Sequence, residues 1–270
     1  MIYRLLSIDI QRNHYVSSVR KKVRISDMDP KNKVALLTGG ARIGQAVAHS
    51  LALLGCNLAL VYRGSRDAAE ATAQAAIREG VRAITIQADA TDEDQIARAV
   101  QETDRELGGI HILLNMASVY LETPEPKKVD WSNIVDANTR SVFLFSTAAA
   151  PIMKRSGAAR IINFADWLPA SGRPRYKGFV PYYTSKAAVV ALTESLALEL
   201  APEVLVNVVA PGPILMPPGL SSAENDEVID ATPVRRWGGA EEIAKTVVFL
   251  VQSDFITGEC IRVDGGRHLY

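Results

Sequence analysis

Lys33-Val34-Ala35-Leu36-Leu37-Thr38-Gly39-Gly40-Ala41-Arg42-Ile43-Gly44 is the stretch that decides the fold. Residues 33–38 read as a short buried strand, residues 39–44 as a tight glycine turn, and Gln45 to Leu54 as the rest of an amphipathic helix closed by Gly55. A strand, a glycine turn and a helix N-terminus in that order form an anion site. Free backbone N–H groups and the helix dipole face the anion, and only glycine allows close approach. The spacing therefore predicts a pyrophosphate lying against Gly39, Arg42, Ile43 and Gly44. The plainer reading gives these glycines a sharp turn and nothing more.

The next strand, Asn57 to Tyr62, runs into Arg63-Gly64-Ser65-Arg66, about 20 residues beyond the glycine turn, where an acid for the ribose 2′-hydroxyl of NAD is expected. No acid stands there. Arg63 and Ser65 offer a guanidinium and a hydroxyl to a 2′-phosphate, with Arg42 closing from the other side, which points to NADP(H). The competing reading is a pair of solvated loop arginines.

From Lys33 onward, strands and helices alternate. Helices are expected at Asp67 to Glu79, at Asp92 to Leu107 with Thr91 as N-cap, at Trp131 to Arg155, at Tyr182 to Leu200 and at Glu241 to Gln252. Strands are expected at Ala83 to Gln87, His111 to Asn115, Arg160 to Phe164, Glu203 to Val209 and Cys260 to Val263. Such alternation implies an α/β fold, a doubly wound parallel sheet with helices on both faces and the ligand crevice at the carboxyl ends of the strands. Thr38, Tyr62, Asn115, Phe164 and Val209 all end strands, so the motifs after them converge on one cleft.

Composition agrees with one large core: 270 residues, 48% hydrophobic and 22% charged, without a break that would mark a second domain in residues 33–270. Thirty basic and thirty acidic residues cancel, so charge gives no reason to expect nucleic acid or an anionic membrane as partner. Cys56 and Cys260 are far apart, which suits packing thiols in a reducing, cytoplasmic setting, and the four histidines lack zinc-ligand spacing. Residues 1–32 are polar and basic, and read as a mobile extension. Either translation starts at Met28, or the extension packs on a neighbouring subunit.

The chemistry is carried by Tyr182 and Lys186, one helical turn apart at the start of a helix, so that an ammonium and a phenol share a face. A positioned proton donor beside a fixed cation is what a carbonyl or imine reductase needs. Asp166 sits upstream, after the apolar strand that ends at Phe164.

Over about residues 33–270 the chain resembles the short-chain dehydrogenase/reductases, with the single-domain Rossmann fold that this implies. The resemblance rests on Thr38-Gly39-Gly40-Ala41-Arg42-Ile43-Gly44, Asp89, Asn115-Met116-Ala117-Ser118, Asn138, Tyr182-x-x-x-Lys186, Pro211-Gly212 and Val263-Asp264-Gly265-Gly266. It implies that Tyr182 is the proton donor, that Lys186 holds the nicotinamide ribose and lowers the phenol pKa, that Asn138 anchors a proton-relay water and that Asp89 contacts adenine. It further implies that Asn115, Ala117, Pro211 and Gly212 line the cofactor site.

Most members of that family place serine shortly after the fifth strand, whereas this chain has Phe164-Ala165-Asp166-Trp167. That departure resembles the pteridine reductases and the bacterial dihydromonapterin reductases, in which positions matching Ser118, Tyr120, Asp166 and Tyr182 line the pterin pocket. Tyr120 is then expected to stack on a flat ring. Physics gives the swap its own meaning. An ionised Asp166 about 4 Å from a developing oxyanion opposes it by up to ~4 kcal/mol at an effective dielectric near 20, roughly three decades of rate. A pterin instead offers N–H groups to a carboxylate, or a ring nitrogen to a carboxylic acid. The plainer reading of Asp166 is a capping aspartate before Pro169.

The main expectation is thus NADPH-dependent hydride transfer to a dihydropterin-type ring. The alternatives are reduction of a 3-ketoacyl carrier or small ketone, and a non-catalytic NADP-binding regulatory subunit. Other departures are a glycine turn one residue shorter than usual, Met116 for the second asparagine, a long loop from Pro169 to Gly178 and Met216 for a threonine; a lid is expected from Gly219 to Asp230, and a structural turn at Arg235-Arg236-Trp237 beside the last helix. Val142, Phe143, Phe145, Val189, Leu192 and Leu196 give the two long helices apolar residues on more than one face, and with the resemblance this suggests a homotetramer.

Overall fold

The computed structural model describes residues 28–39, 41–123, 131–172 and 177–269. Seven strands form one sheet: β1 Val34–Thr38, β2 Asn57–Tyr62, β3 Ala83–Gln87, β4 Ile112–Asn115, β5 Ala159–Phe164, β6 Val204–Pro211 and β7 Cys260–Val263. Their spatial order is β3-β2-β1-β4-β5-β6-β7, and every neighbouring pair is parallel. The chain winds outward in both directions from the β1–β4 boundary. That reversal is a switch point, where the loops leaving two adjacent strands diverge and open a crevice.

Strand side chains alternate between the two faces. Val34 and Leu36 join one core with Ile96, Phe145 and Leu196, while Ala35 and Leu37 join the other with Val47, Leu51, Ile243 and Val247. Every residue of β1, β4 and β5 is buried, whereas the edge strands β3 and β7 are largely half-exposed. A run buried on both faces is what the near-continuous apolar sequences of the central strands require.

Helices α1 Ile43–Leu53, α2 Arg66–Arg78 and α3 Glu93–Leu107 link the first four strands. Helix α3 buries Ile96, Ala99, Val100, Thr103 and Leu107, the stripe of a 3.6-residue period, and ends at Gly108 with φ 87°. Its N-cap is Asp92, whose side chain accepts the Gln95 N–H, rather than the expected Thr91. Thr91 instead donates its hydroxyl and N–H to Asp89.

The helix expected from Trp131 to Arg155 is interrupted. It consists of α4 Trp131–Val135, a π-helical turn at Asp136–Arg140, and α5 Ser141–Arg155. Beyond β5 lie α6 Trp167–Ser171, which overlaps the start of the loop expected from Pro169, and α7 Val180–Leu200. Helix α8, Ser222–Asp230, occupies the expected lid segment; a capping box between Ser221 and Glu224 starts it, and none of its residues is buried. Helix α9, Ala240–Gln252, packs against α1. The Arg236 guanidinium donates to the carbonyls of Trp237 and Gly238 and to Glu242 of α9, the structural turn expected there.

Met28 is buried in the core, and the Asn32 N–H donates to the Gly55 carbonyl, so packing begins before the boundary expected at residue 33. The rest of the expected extension lies outside the described residues. Of the six apolar residues offered for subunit contacts, Val142, Phe145, Val189 and Leu196 are buried within this chain and Leu192 packs against its core, leaving Phe143 exposed. No described helix is long and apolar enough to cross a membrane.

Candidate active site

The site is built where β1 and β4 part. The Thr38 hydroxyl oxygen accepts the N–H groups of Met116 and Ala117, both at 3.1 Å, and pins the chain leaving β4 against the end of β1. Gly39 has φ 72°, and a Cβ there would stand 2.8 Å from Ala117 Cα, so close approach of two backbones as well as conformation demands glycine. Gly44 backs onto the same turn, where an added Cβ would lie 3.1 Å from the Gly39 carbonyl oxygen.

A crevice of about 360 Å³ opens above these contacts and brings together Gly39, Arg63, Ser65, Asp89, Ala117 and Ser118. Among the described residues no side chain caps the N-terminus of α1 and no acid occupies its first turn, so its first amides face no built-in anion there. The cavity and uncapped helix fit the phosphate and adenosine half of a dinucleotide. Arg63 is largely exposed at the rim, 3.9 Å from the Asp89 carboxylate. The Thr91 N–H, with the Thr91 hydroxyl and Arg63 assisting, holds the Asp89 carboxyl below its ordinary range.

Several residues expected at the cofactor do not line that crevice. Arg42 is the N-cap of α1 at φ 55° and does not line the crevice, nor does Ile43. Asn115 turns into the core: its Nδ2 donates to Asn163 Oδ1 at 2.9 Å and Ser146 Oγ at 3.2 Å, and its Oδ1 has no hydrogen-bond partner among the described residues. Pro211 ends β6, and the Gly212 N–H donates to the Val263 carbonyl, packing that segment onto the end of β7.

The acid-base group stands at the carboxyl end of β5. Helix α7 opens with Pro181 in its first turn and turns Tyr182, Ser185 and Lys186 inward. The Tyr182 hydroxyl donates to Asp166 Oδ2 at 3.0 Å, and Lys186 Nζ donates to the Phe164 carbonyl at 2.8 Å. Asp166 Oδ1 also accepts the Leu168 N–H at 2.9 Å and caps α6. Capping and the contact with Tyr182 are therefore two jobs of one carboxyl.

Burial governs all three groups. It pushes the Asp166 carboxyl up, against the opposing pull of the Leu168 N–H, the Tyr182 hydroxyl and Lys186. It raises the Tyr182 phenol well above its ordinary range, with Asp166 adding to the effect. Lys186 falls from 10.5 to about 8, again by burial, with Asp166 working the other way.

Asn138 lies fully buried in the π turn. Its Oδ1 accepts the Val119 N–H at 2.6 Å, while its Nδ2 donates to the Val119 carbonyl at 2.9 Å and to Ser185 Oγ at 3.0 Å. One amide thus fastens the chain leaving β4 to α7. The widened turn that aims it is a frequent feature of functional sites, and helical periodicity gives no sign of it.

Ser118 borders the dinucleotide crevice rather than Tyr182. Tyr120 meets Tyr182 edge-on, with ring centroids 4.7 Å apart, but its face is stacked on Phe179 at 4.8 Å. Sequence reasoning missed Phe179. The available signal was an aromatic residue three positions before Tyr182.

The sequence model of a family described as enoyl-(acyl carrier protein) reductase matches residues 40–268. A 3-oxoacyl-(acyl-carrier-protein) reductase FabG of Staphylococcus epidermidis is 35% identical over 246 residues, spanning 88% of this chain and 100% of that protein. Among solved structures, a short-chain dehydrogenase/reductase from Serratia marcescens superposes with a TM-score of 0.82 at 33% identity, covering 89% of this chain and 100% of that one. A blue fluorescent protein from a metagenomic library, in complex with NADPH, gives 0.80 at 31% identity, covering 89% and 99%.

Proposed function

From the premise that the chain belongs to the short-chain dehydrogenase/reductase family, we propose that it is an NADPH-dependent carbonyl reductase acting on 3-oxoacyl thioesters. The names of its relatives move the substrate reading from a pteridine ring to a ketone. The observation that carries the reading is the buried Tyr182 hydroxyl at the head of α7, in contact with Asp166 and one turn from buried Lys186.

Bound NADPH supplies the hydride. Arg63 and Ser65, which line the crevice, would hold its 2′-phosphate, the start of α1 its pyrophosphate, and Lys186, buried one turn from Tyr182, its ribose. Tyr182 gives its hydroxyl proton to the carbonyl oxygen as the alkoxide forms. Asp166, whose carboxyl burial pushes toward its neutral form, accepts that hydroxyl's hydrogen bond in the place where most of the family uses serine. A neutral carboxyl removes the repulsion that an ionised one imposes on the oxyanion. Asn138 keeps α7 and the chain leaving β4 in register. Assembly as a homotetramer belongs to the same reading, with exposed Phe143 and Leu198 available on the long helices; sedimentation as a monomer alone rejects it.

The test is purified protein with NADPH and acetoacetyl-coenzyme A, followed by cofactor absorbance. Tyr182→Phe is expected to lower turnover by about 10²-fold or more while leaving NADPH binding intact. One observation favours a second reading, reduction of a dihydropterin ring: a carboxyl at the serine position is bonded directly to the tyrosine. Consumption of NADPH with dihydropterins and none with carbonyl compounds would select it. Binding of NADPH without turnover of either class would overturn both.

A further inference from the structure

Tyr120 and Phe179 belong to the two segments that flank Tyr182, the chain leaving β4 and the residue just before α7. Their rings stack with centroids 4.8 Å apart and planes 16° apart, while Tyr120 stands edge-on to Tyr182 at 4.7 Å and 87°. The same segments are clamped by Thr123, whose N–H and hydroxyl both donate to the Gly178 carbonyl, at 2.6 and 2.7 Å. Tyr120 is 61% exposed. Phe179 backs its ring, and the backbone of Phe179 is itself fixed because its carbonyl accepts the Tyr183 N–H in the first turn of α7.

We infer that Phe179 is a specificity-determining positioning residue. It acts through Tyr120, holding that ring upright beside Tyr182 as a flat wall against which the acceptor's substituent must lie. The inference rests on the reading of Tyr182 as proton donor to a carbonyl. A flat conjugated substituent packs edge or face against such a wall and gains from the ring quadrupoles; a puckered saturated ring of equal atom count is thicker and lacks that gain. Without Phe179, Tyr120 samples several orientations and must be ordered anew with each substrate bound.

Acetophenone and cyclohexyl methyl ketone form the matched pair of probes, differing in the flatness of the ring. Their intrinsic reactivities cancel when the ratio of the two kcat/KM values is compared between parent and variant. Phe179→Ala is expected to lower the phenyl-to-cyclohexyl ratio about tenfold, chiefly by raising KM for acetophenone, and Phe179→Tyr to restore it. Phe179→Leu serves the same purpose if the alanine variant fails to fold. For a ketone that is not turned over, its inhibition constant against acetoacetyl-coenzyme A reduction gives the ratio. A change below about threefold, or an equal loss of kcat for both probes at constant KM, overturns the inference. Failure of the underlying reading looks different, because the parent protein itself then reduces no carbonyl compound.

Discussion

Replacing Asp166 by asparagine isolates charge from shape at the centre of the site. The amide keeps Oδ1 as acceptor for the Leu168 N–H, so α6 retains its cap, and it turns Nδ2 toward the Tyr182 oxygen in place of Oδ2. An acceptor becomes a donor and a potential negative charge disappears. Two unit charges separated by the observed 3.0 Å interact by about 5 kcal/mol at an effective dielectric near 20. That corresponds to nearly four decades of phenol acidity if Asp166 is fully ionised. Burial pushes the carboxyl toward its neutral form and offsets part of this, so the Tyr182 phenol is expected to become more acidic when Asp166 is replaced. Ketone reduction requires the protonated phenol. In Asp166→Asn the alkaline limb of its kcat–pH profile therefore moves to lower pH. Alcohol oxidation with NADP⁺ requires the phenolate and gains at neutral pH. Steady-state profiles in both directions, beside a melting curve that verifies the retained cap, measure this. An alkaline limb that stays in place or moves up refutes the account of Asp166 and Tyr182 as an electrostatically coupled pair.

Lys186 carries a stability cost. With its native pKa down at about 8, against 10.5 ordinarily, the unfolded chain holds more protons than the native one between those values. Its stability deficit therefore shrinks as pH rises through that window, and below it the buried charge costs about 3 kcal/mol. Lys186→Met is expected to raise Tm at pH 7, to lose that advantage by pH 10 and to abolish turnover, which thermal melts and cofactor absorbance follow. Arg63→Ala is expected to weaken NADPH about tenfold or more and to leave NADH little changed, since a charge-assisted contact to the 2′-phosphate goes with it; titration of cofactor fluorescence reads the difference. Gly39→Ala forces a Cβ against the Ala117 backbone at positive φ, and denaturant titration is expected to register a loss of about 2 kcal/mol or more.

The glycine turn after a buried strand, the regular alternation of elements and the Tyr182–Lys186 spacing made the fold and the reaction class legible without coordinates, because each is a local demand of backbone geometry on residue type. The same locality limited the reading of Asp166. Capping and partnership with Tyr182 appeared as rivals, yet the two oxygens of one carboxyl serve both. Only tertiary structure could decide that, since it sets where the start of α7 stands relative to the end of β5. Tertiary contact also turned Asn115 inward, placed Arg42 off the crevice lining, widened the helix at Asn138 and laid Phe179 behind Tyr120. Each of these depends on how segments far apart in the chain meet, and neither periodicity nor spacing records such meetings.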